Sequence, residues 1–484
     1  MLNLTAFDWI LLLNAALAVV LIFIEEKRPR KAVAWLLIMI VLPVAGPILF
    51  IIFGQNLRKQ KASARKETRD RQYVEEIVRQ HRLNYLTEDI QLKKDGMSEY
   101  RDMMDFLVKS NAAFLTVDNK VKVLSEGPEK MESLFQAIRE ARDHVHVEYY
   151  IIRDDDLGHK FLDLLAQKQR EGVQVRLLVD GVGTRMSPRN YNPIKEAGGK
   201  VEVFFPPLVS FLPFLNHRIN YRNHRKIVVV DGKVGFVGGF NIGDEYVGKD
   251  PDFGHWRDSH VRIEGRAVLA LQLRFLLDWN YISSEELDIS PQLFPPDYTV
   301  GEGTLIQIIN SGPDKRWEPL KLAFLKIIYE ARESLYIETP YFVPDESVRD
   351  ALAMAAMSGV DVRVIIPEKP DHPFVHWVSL SYIGELHETG VRGYLYRNGF
   401  LHAKTVVVDG KLASIGSANW DIRSFELNFE TNAIIYSPEV GREQVRVFMD
   451  DISQSRELTK DDFQQRPLFL RLRIFVSRLF TDIL

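Results

Sequence analysis

The 484-residue chain contains no cysteine. That absence excludes disulfides, thiolate-bound zinc and a cysteine nucleophile, and it leaves the compartment open. An excess of charge of one sign is missing as well. The net charge is −4, so no global basic field exists to draw nucleic acid. Near the start charge is almost absent. From Phe7 to Ile24 the only polar residues are Asp8 and Asn14, and Ala32 to Phe53 is a 22-residue stretch with no charge. Each is long enough to cross a hydrocarbon layer of ~30 Å. Pro43 and Pro47 kink the second, which membrane helices tolerate. A signal peptide would need a basic n-region and a small-residue cleavage site, and the first stretch lacks both. Residues 1–57 therefore read as a transmembrane helical hairpin, with helices at about 7–24 and 32–53.

The charge that is present orients this hairpin. Its loop, Glu25 to Lys31, carries four basic and two acidic residues, whereas Arg58 to Arg71 carries seven basic ones. Lys and Arg favour the cytoplasmic side, which places the large remainder of the chain in the cytoplasm, anchored to the cell membrane. Residues 58–109 read as a charged juxtamembrane linker, solvated or held at anionic headgroups. The end, 461–484, mixes Leu, Phe, Ile and Val with Arg471, Arg473 and Arg478. It is too charged to span and reads as an amphipathic helix, lying at an interface or docked on the preceding domain.

Length alone calls for two catalytic-size domains, and the sequence repeats itself. His146-Val-Glu148-Tyr-Tyr-Ile matches Tyr336-Ile-Glu338-Thr-Pro-Tyr, and Gly172-Val-Gln-Val-Arg-Leu-Leu-Val matches Gly359-Val-Asp-Val-Arg-Val-Ile-Ile. Helix-compatible segments precede and separate these phrases in both halves. Helices alternating with apolar strands predict an α/β fold, one domain at 110–290 and one at 291–460, each a sheet flanked by helices. The first half alone inserts an apolar, proline-punctuated loop, Pro206 to Leu215, a core cover or a lipid-facing lip.

The strongest signal is a duplicated phrase. His224-Arg-Lys226-Ile-Val-Val-Val-Asp231-Gly leads to Gly238-Gly239-Phe-Asn241; His402-Ala-Lys404-Thr-Val-Val-Val-Asp409-Gly leads to Gly416-Ser417-Ala-Asn419. In both, Lys follows His by two, Asp by seven and Asn by seventeen. The β-branched run ending in Asp-Gly predicts a hairpin with a two-residue turn. Alternation puts His224 and Lys226 on one face, and a two-residue turn sets His224 opposite Gly239 and His402 opposite Ser417, with room for substrate beside each imidazole. Each copy offers a titratable nitrogen, a cation and an amide, which suits a phosphate. Asp231 and Asp409 belong to the motif and so to the candidate catalytic set. Their place at the turns fits anchoring the loop or the partner lysine better than proton transfer. Glu148 and Glu338 occupy matching strand ends, as pocket or structural residues.

The duplicated His-x-Lys-x4-Asp phrase with its Asn resembles the phospholipase D superfamily. Two N-terminal spans, Tyr221-Arg-Asn-His-Arg-Lys, Asn241-Ile-Gly-Asp-Glu-Tyr, Trp256-Arg-Asp-Ser-His and Asn419-Trp-Asp-Ile-Arg-Ser-Phe-Glu-Leu-Asn-Phe-Glu are similar, within it, to the bacterial cardiolipin synthases. The resemblance implies two tandem phospholipase D-like domains, whose motifs meet in one site. It implies phosphatidyl transfer between two phosphatidylglycerol molecules, giving cardiolipin and glycerol, with no metal and no cofactor. One histidine, by resemblance His224, would form a phosphohistidine, and His402 would protonate the leaving alcohol. Lys226, Lys404, Asn241 and Asn419 would hold the phosphoryl oxygens. An acidic residue after each Asn would orient the imidazoles: Glu430 in the second half and, by alignment, Asp258 in the first. A phospholipase D hydrolase or another phosphatidyltransferase, such as a phosphatidylserine synthase, shares this chemistry and differs in acceptor. A nuclease fits poorly with the net acidity and apolar spans. The oligomeric state is left open.

Overall fold

The computed structural model describes residues 14–17, 19, 29–47, 50, 70–76, 97–206, 221–295, 303–315, 317–464 and 467–481. The loop beyond Pro206, most of the expected linker and most of the first expected span lie outside these residues.

Two halves repeat one strand order. The first contains β1 (Thr116–Glu126), β2 (His144–Tyr149), β3 (Gln174–Asp180), β4 (Lys200–Phe204), β5 (Lys226–Val230), β6 (Val234–Gly238) and β7 (Trp256–Gly265). Its sheet runs 4-3-2-5-6-7-1; β2, β3 and β4 are parallel and the other pairings antiparallel. The second half contains β8 (Thr304–Ser311), β9 (Ser334–Glu338), β10 (Asp361–Pro367), β11 (Arg392–Tyr396), β12 (Thr405–Val408), β13 (Leu412–Gly416) and β14 (Asn428–Tyr436). Its order, 11-10-9-12-13-14-8, is the same with the same directions. The two sheets join edge to edge where β1 pairs antiparallel with β8. Mixed sheets with flanking helices are the fold expected from the repeat.

Local chemistry explains the helices. The helix Asp156–Arg170 is capped by Asp155, whose Oδ1 accepts from the Gly158 N–H at 2.8 Å; Asp345 does the same for Val348 at the start of Glu346–Met357, at 2.9 Å. Such a cap is worth about 1 kcal/mol. These helices end at Gly172 and Gly359, with φ of 92° and 97°. Only glycine takes that turn without strain, which is why the repeated phrases both begin with it. The strands that follow are buried over most of their length, as sheets covered by helices require.

The halves share one core. Ile227, Val229, Val237 and Val261 pack in the same buried cluster as Ile415, Ala433 and Ile435, with the helix Ala267–Ile282. Each such side chain contributes on the order of 1.5–3 kcal/mol. The halves are therefore sealed together around the strands that carry the motifs.

At the N-terminal end, the helix Pro29–Val41 buries Trp35 and Met39 beside Phe50, whose ring meets Trp35 edge-on at 5.4 Å. Asn14 Nδ2 donates to the Pro43 carbonyl at 2.9 Å, so the two expected spans touch. Leu37, Ile40 and Val41 face outward, 57–74 % exposed. Among the described residues no helix is long and apolar enough to cross a membrane. At the other end, the helix Leu468–Thr481 docks on Pro373–His387 of the second half: Arg478 pairs with Glu385 and lies 4.6 Å over the Tyr382 ring. Its Phe469, Leu472 and Phe475 remain exposed. Docking and an outward apolar face are thus combined in one helix.

Candidate active site

The motif hairpins differ in one respect from expectation. The ladder pairs Ile227 with Val237 and Val230 with Val234, and in the copy Thr405 with Ile415 and Val408 with Leu412. Asp231–Gly232 and Asp409–Gly410 form the expected two-residue turns, closed by the Lys233 N–H to Val230 O and the Lys411 N–H to Val408 O at 2.9 Å, but one further residue, Lys233 or Lys411, precedes the ladder and shifts its register by one, away from the expected place of Gly239 opposite His224. Both central residues of each turn have positive φ, the glycines at 63° and 61°. Asp231 and Asp409 sit in the left-handed region, φ 53° and 51°. The Asp231 carboxylate accepts from the backbone N–H groups of Arg142, Asp143 and His144 at 2.8–3.0 Å. That of Asp409 accepts from Arg332, Glu333 and Ser334 at 2.7–3.0 Å. Both fasten the hairpin tip to the loop before a neighbouring strand. The structure does not bring them to the histidines.

The histidines are delivered at the other end of the hairpin strands by an exchange between halves. Just before His224, Arg222–Asn223 runs parallel to Asn428–Phe429 of β14. Just before His402, Phe400–Leu401 runs parallel to Trp256–Arg257 of β7. The His224 N–H donates to Phe429 O at 3.0 Å, and that of His402 to Arg257 O at 2.7 Å. Each imidazole so meets the acid of the opposite half. His224 Nδ1 lies 3.0 Å from both Glu430 oxygens, and His402 Nδ1 lies 2.6 Å from Asp258 Oδ2. The alignment identifies both acids but sets each in its own half; the pairing is crossed.

The small residues after each hairpin make room for these acids. A Cβ on Gly239 would fall 2.0 Å from Asp258 Oδ1. In the copy, Ser417 Oγ donates to Glu430 Oε2 at 2.5 Å. Ser424 Oγ and Asn428 Nδ2 add bonds to Glu430 Oε1 at 3.1 Å each. Asp258 Oδ1 accepts from the Ser259 N–H at 2.7 Å.

Burial governs the titration of this cluster. It pushes the Lys226 ammonium down to about 7, with Glu430 opposing and Lys404 assisting, and the Lys404 ammonium down to about 8, with Asp258 opposing. Burial holds His224 at about 4, against the pull of Glu430 and with the push of Lys226. Burial and Lys404 also lower His402, against Asp258. Burial works to raise Glu430, but the charge and hydrogen bond of His224, with Lys226 and Ser417, leave it below the ordinary carboxylate value. Asp258 is likewise low, through Lys404 and His402. The resting site holds neutral imidazoles against anionic acids. Lys226 Nζ donates to the carbonyl of His224 at 2.7 Å, and Lys404 Nζ to that of His402.

Both histidines and both asparagines line one cavity of about 590 Å³. Asn241 Oδ1 accepts from the Ile151 N–H at 3.3 Å and its Nδ2 donates to the Tyr246 hydroxyl at 3.2 Å. Asn419 Oδ1 is buried without a partner among the described residues. The lysines are fully buried under the histidines and do not line the cavity themselves. Glu148 and Glu338 are scaffold residues: Glu148 accepts from Asn223 Nδ2 and Glu338 from Thr405 Oγ1, both at 2.6 Å. The cavity wall also includes Tyr150, Trp256, Arg222, Tyr341 and Arg423, to which sequence reasoning gave no role. Alternation from His224 to Arg222 was the available signal for one of them. An anion with one or two oxygens to spare fits this mouth, where two lysines beside the imidazoles would repel a cation.

The comparisons agree with the geometry. Residues 134–264 and 324–452 match the family described as cardiolipin synthase, phospholipase D-like domain, and 12–55 match the phospholipase D-nuclease N-terminal region. The chain is 46 % identical over 475 residues to the major cardiolipin synthase of Bacillus subtilis (strain 168), covering 98 % of both. It is 42 % identical over 474 residues to a cardiolipin synthase of Staphylococcus aureus (strain Mu50), covering 98 % of this chain and 95 % of that one. In fold it is similar to the crystal structure of phosphatidylserine synthase from Haemophilus influenzae, with TM-score 0.61 and 15 % identity over 79 % of this chain and all of that one.

Proposed function

The chain belongs to the bacterial cardiolipin synthases of the phospholipase D superfamily and is a phosphatidyltransferase; from that premise we propose that it joins two phosphatidylglycerol molecules, releasing glycerol, through a phosphohistidine on His224. The observation that carries this reading is the crossed pairing, which turns two distant motifs into two oriented imidazoles on one cavity.

In the first step, neutral His224 Nε2 attacks phosphorus. The P–O bond to glycerol breaks, and His402, protonated, gives its proton to the departing oxygen. Glu430 fixes the His224 tautomer by accepting from Nδ1 and balances the charge the ring acquires. In the second step, the now neutral His402 takes the proton of a second phosphatidylglycerol hydroxyl. That oxygen attacks phosphorus, the P–N bond breaks, and His224 is restored. Binding the phosphodiester anion raises the proton affinity of every cation around it, so His402 is charged in the complex although neutral at rest. Lys226 and Lys404 turn from the histidine carbonyls to the phosphoryl oxygens, where Asn241 and Asn419 also donate.

The environments of the two rings favour this assignment. Glu430 spends its charge on three further donors, Ser417, Ser424 and Asn428. Asp258 gives one oxygen to His402 at 2.6 Å. The imidazole facing the less satisfied carboxylate is the better proton holder, hence the acid. His402→Ala should still form the covalent intermediate with a nitrophenyl phosphodiester, whose leaving group needs no proton, and then stall. His224→Ala should give no burst. A burst confined to His224→Ala reverses the assignment, and no acid-labile phosphohistidine in the parent removes the two-step mechanism. With phosphatidylglycerol in detergent, cardiolipin plus glycerol supports the synthase, whereas phosphatidic acid alone identifies a hydrolase.

This reading divides the chain into a membrane hairpin at 1–57, a linker at 58–109, domains at 110–290 and 291–460, and a surface helix at 461–484. The catalytic part faces the cytoplasm. The Asn14–Pro43 contact and the outward apolar face of Pro29–Val41 support the hairpin. Because the chain has no cysteine, single cysteines at Lys27 and Ser63 report topology cleanly. An impermeant maleimide applied to intact cells should label the first and not the second; the reverse pattern would place the catalytic part outside.

A further inference from the structure

The reaction core is symmetric, and its surroundings are not. The paired strands fix which residues correspond: Arg222 beside Asn428 occupies the place that Phe400 occupies beside Trp256. Four residues after each motif asparagine stand Arg423 and Glu245. Around His402 these places are aromatic or neutralised. Trp256 and Phe400 lie 5.2 and 6.0 Å from its ring, and Glu245 is bound by Arg153 at 2.8–2.9 Å. Around His224 the same two places hold two guanidinium groups, Arg222 from the first half and Arg423 from the second, both on the cavity wall.

These two cations lie close together. Both act on the hydroxyl of Tyr150, whose ring meets His224 edge-on at 4.8 Å, and burial together with Arg222 lowers the Arg423 guanidinium, with Asp421 opposing. They also lie further out than the core. Lys226, His224 and Arg222 alternate along one strand face; the lysine is fully buried, the histidine nearly so, and the arginine half-buried. The depth order is cation, imidazole, cation.

Given the proposed transfer between two phosphatidylglycerols, on which this inference rests, the acceptor must arrive hydroxyl first. Its own phosphodiester then trails three carbons behind, toward the mouth. The core lysines and asparagines are occupied by the phosphate being transferred, so the second anion needs cations of its own. Guanidinium pairs hold phosphate oxygens bidentately, with geometry a lone ammonium lacks. We propose that Arg222 and Arg423 form a second phosphate subsite, which binds the phosphodiester of the acceptor lipid and selects an anionic acceptor over a neutral alcohol. They are specificity residues, separate from bond making.

The test compares two acceptors for one phosphatidyl-enzyme. The full chain in detergent with phosphatidylglycerol makes cardiolipin, and with labelled glycerol it exchanges label into phosphatidylglycerol, a reaction whose acceptor has no phosphate. Arg222→Gln/Arg423→Gln should lower cardiolipin formation about 10–100-fold, through a raised KM for phosphatidylglycerol as acceptor. Glycerol exchange should stay within about threefold, and Arg→Lys at both positions should restore part of the loss. Equal falls in both reactions would overturn the subsite, since the arginines would then serve the transferred phosphate or the fold. An unchanged ratio of the two rates would overturn it too. A parent enzyme that makes cardiolipin but never exchanges glycerol would instead contradict the reversible covalent mechanism, so the two failures are distinguishable.

Discussion

Gly239 and Ser417 hold corresponding places, yet one is bare and the other carries a hydroxyl. The difference follows from the acid each faces. Glu430 reaches one methylene further than Asp258 and finds Ser417 Oγ at 2.5 Å; at Gly239 even a Cβ would enter the Asp258 carboxylate at 2.0 Å. Gly239→Ala should therefore displace Asp258 from His402 and abolish turnover, by about 10²–10⁴-fold as for loss of a general acid. The burst with an activated phosphodiester should survive, because His224 and Glu430 are untouched. Loss of the burst as well, shown by quench kinetics, would mean that the change propagates through the whole site. Titration gives a second residue-scale expectation. His224 is held at about 4 against an ordinary 6.5. Between those values the unfolded chain binds the proton and the folded chain refuses it, so this residue's contribution to stability falls as pH drops from 6.5 to 4. Relative to His224→Gln, which cannot titrate, the parent should lose melting temperature across that window and hold level above it. A constant difference from pH 7 to 4.5 would show that His224 is not buried as a neutral base.

At the scale of elements, the motif hairpin is a lever fastened at both ends. Its tip is tied by Asp231 or Asp409 to three backbone amides, and its base carries the histidine. Seven residues of strand at ~3.3 Å each separate the two, roughly 20 Å. Asp231→Ala and Asp409→Ala should hence act on stability, removing a half-buried acceptor from three donors and placing alanine at positive φ, for about 1–3 kcal/mol each. Activity of the folded fraction at low temperature should remain near that of the parent. A hundredfold fall in kcat without a change in melting temperature would return the aspartates to the chemistry. The same turns show what the sequence could and could not disclose. The β-branched run, Asp-Gly and the shared face of His224 and Lys226 are legible as a hairpin. Its register is not, because one extra residue, Lys233 or Lys411, follows the Asp-Gly turn before the ladder begins. Glu430 and Asp258 are legible as the acids through the family resemblance, which points to Glu430, and the alignment of the halves, which carries it to Asp258. Their exchange is not, because it rests on two-residue strands, Arg222–Asn223 and Phe400–Leu401, too short to leave a periodic pattern. β1 is not legible for a different reason: Thr-Val-Asp-Asn-Lys-Val-Lys-Val-Leu-Ser-Glu is charged along the edge where the two sheets meet, and resembles a solvated segment.

At the scale of the whole molecule, one chain supplies both histidines to one cavity and a buried acid behind each. Mixing His224→Ala with His402→Ala should accordingly yield no activity, whatever the oligomeric state; recovery of even a tenth of parental turnover would show that sites form between chains. The crossed acids also impose an order in time. His224 and Glu430 are 206 residues apart, and the acid lies on the last strand of the second sheet's motif run. During synthesis the first half leaves the ribosome with His224, the proposed nucleophile, in place and nothing to orient it. A nascent chain, or one truncated before Glu430, is thus inert toward the lipids around it, and the act of finishing translation through Asn428–Tyr436 is what arms the enzyme.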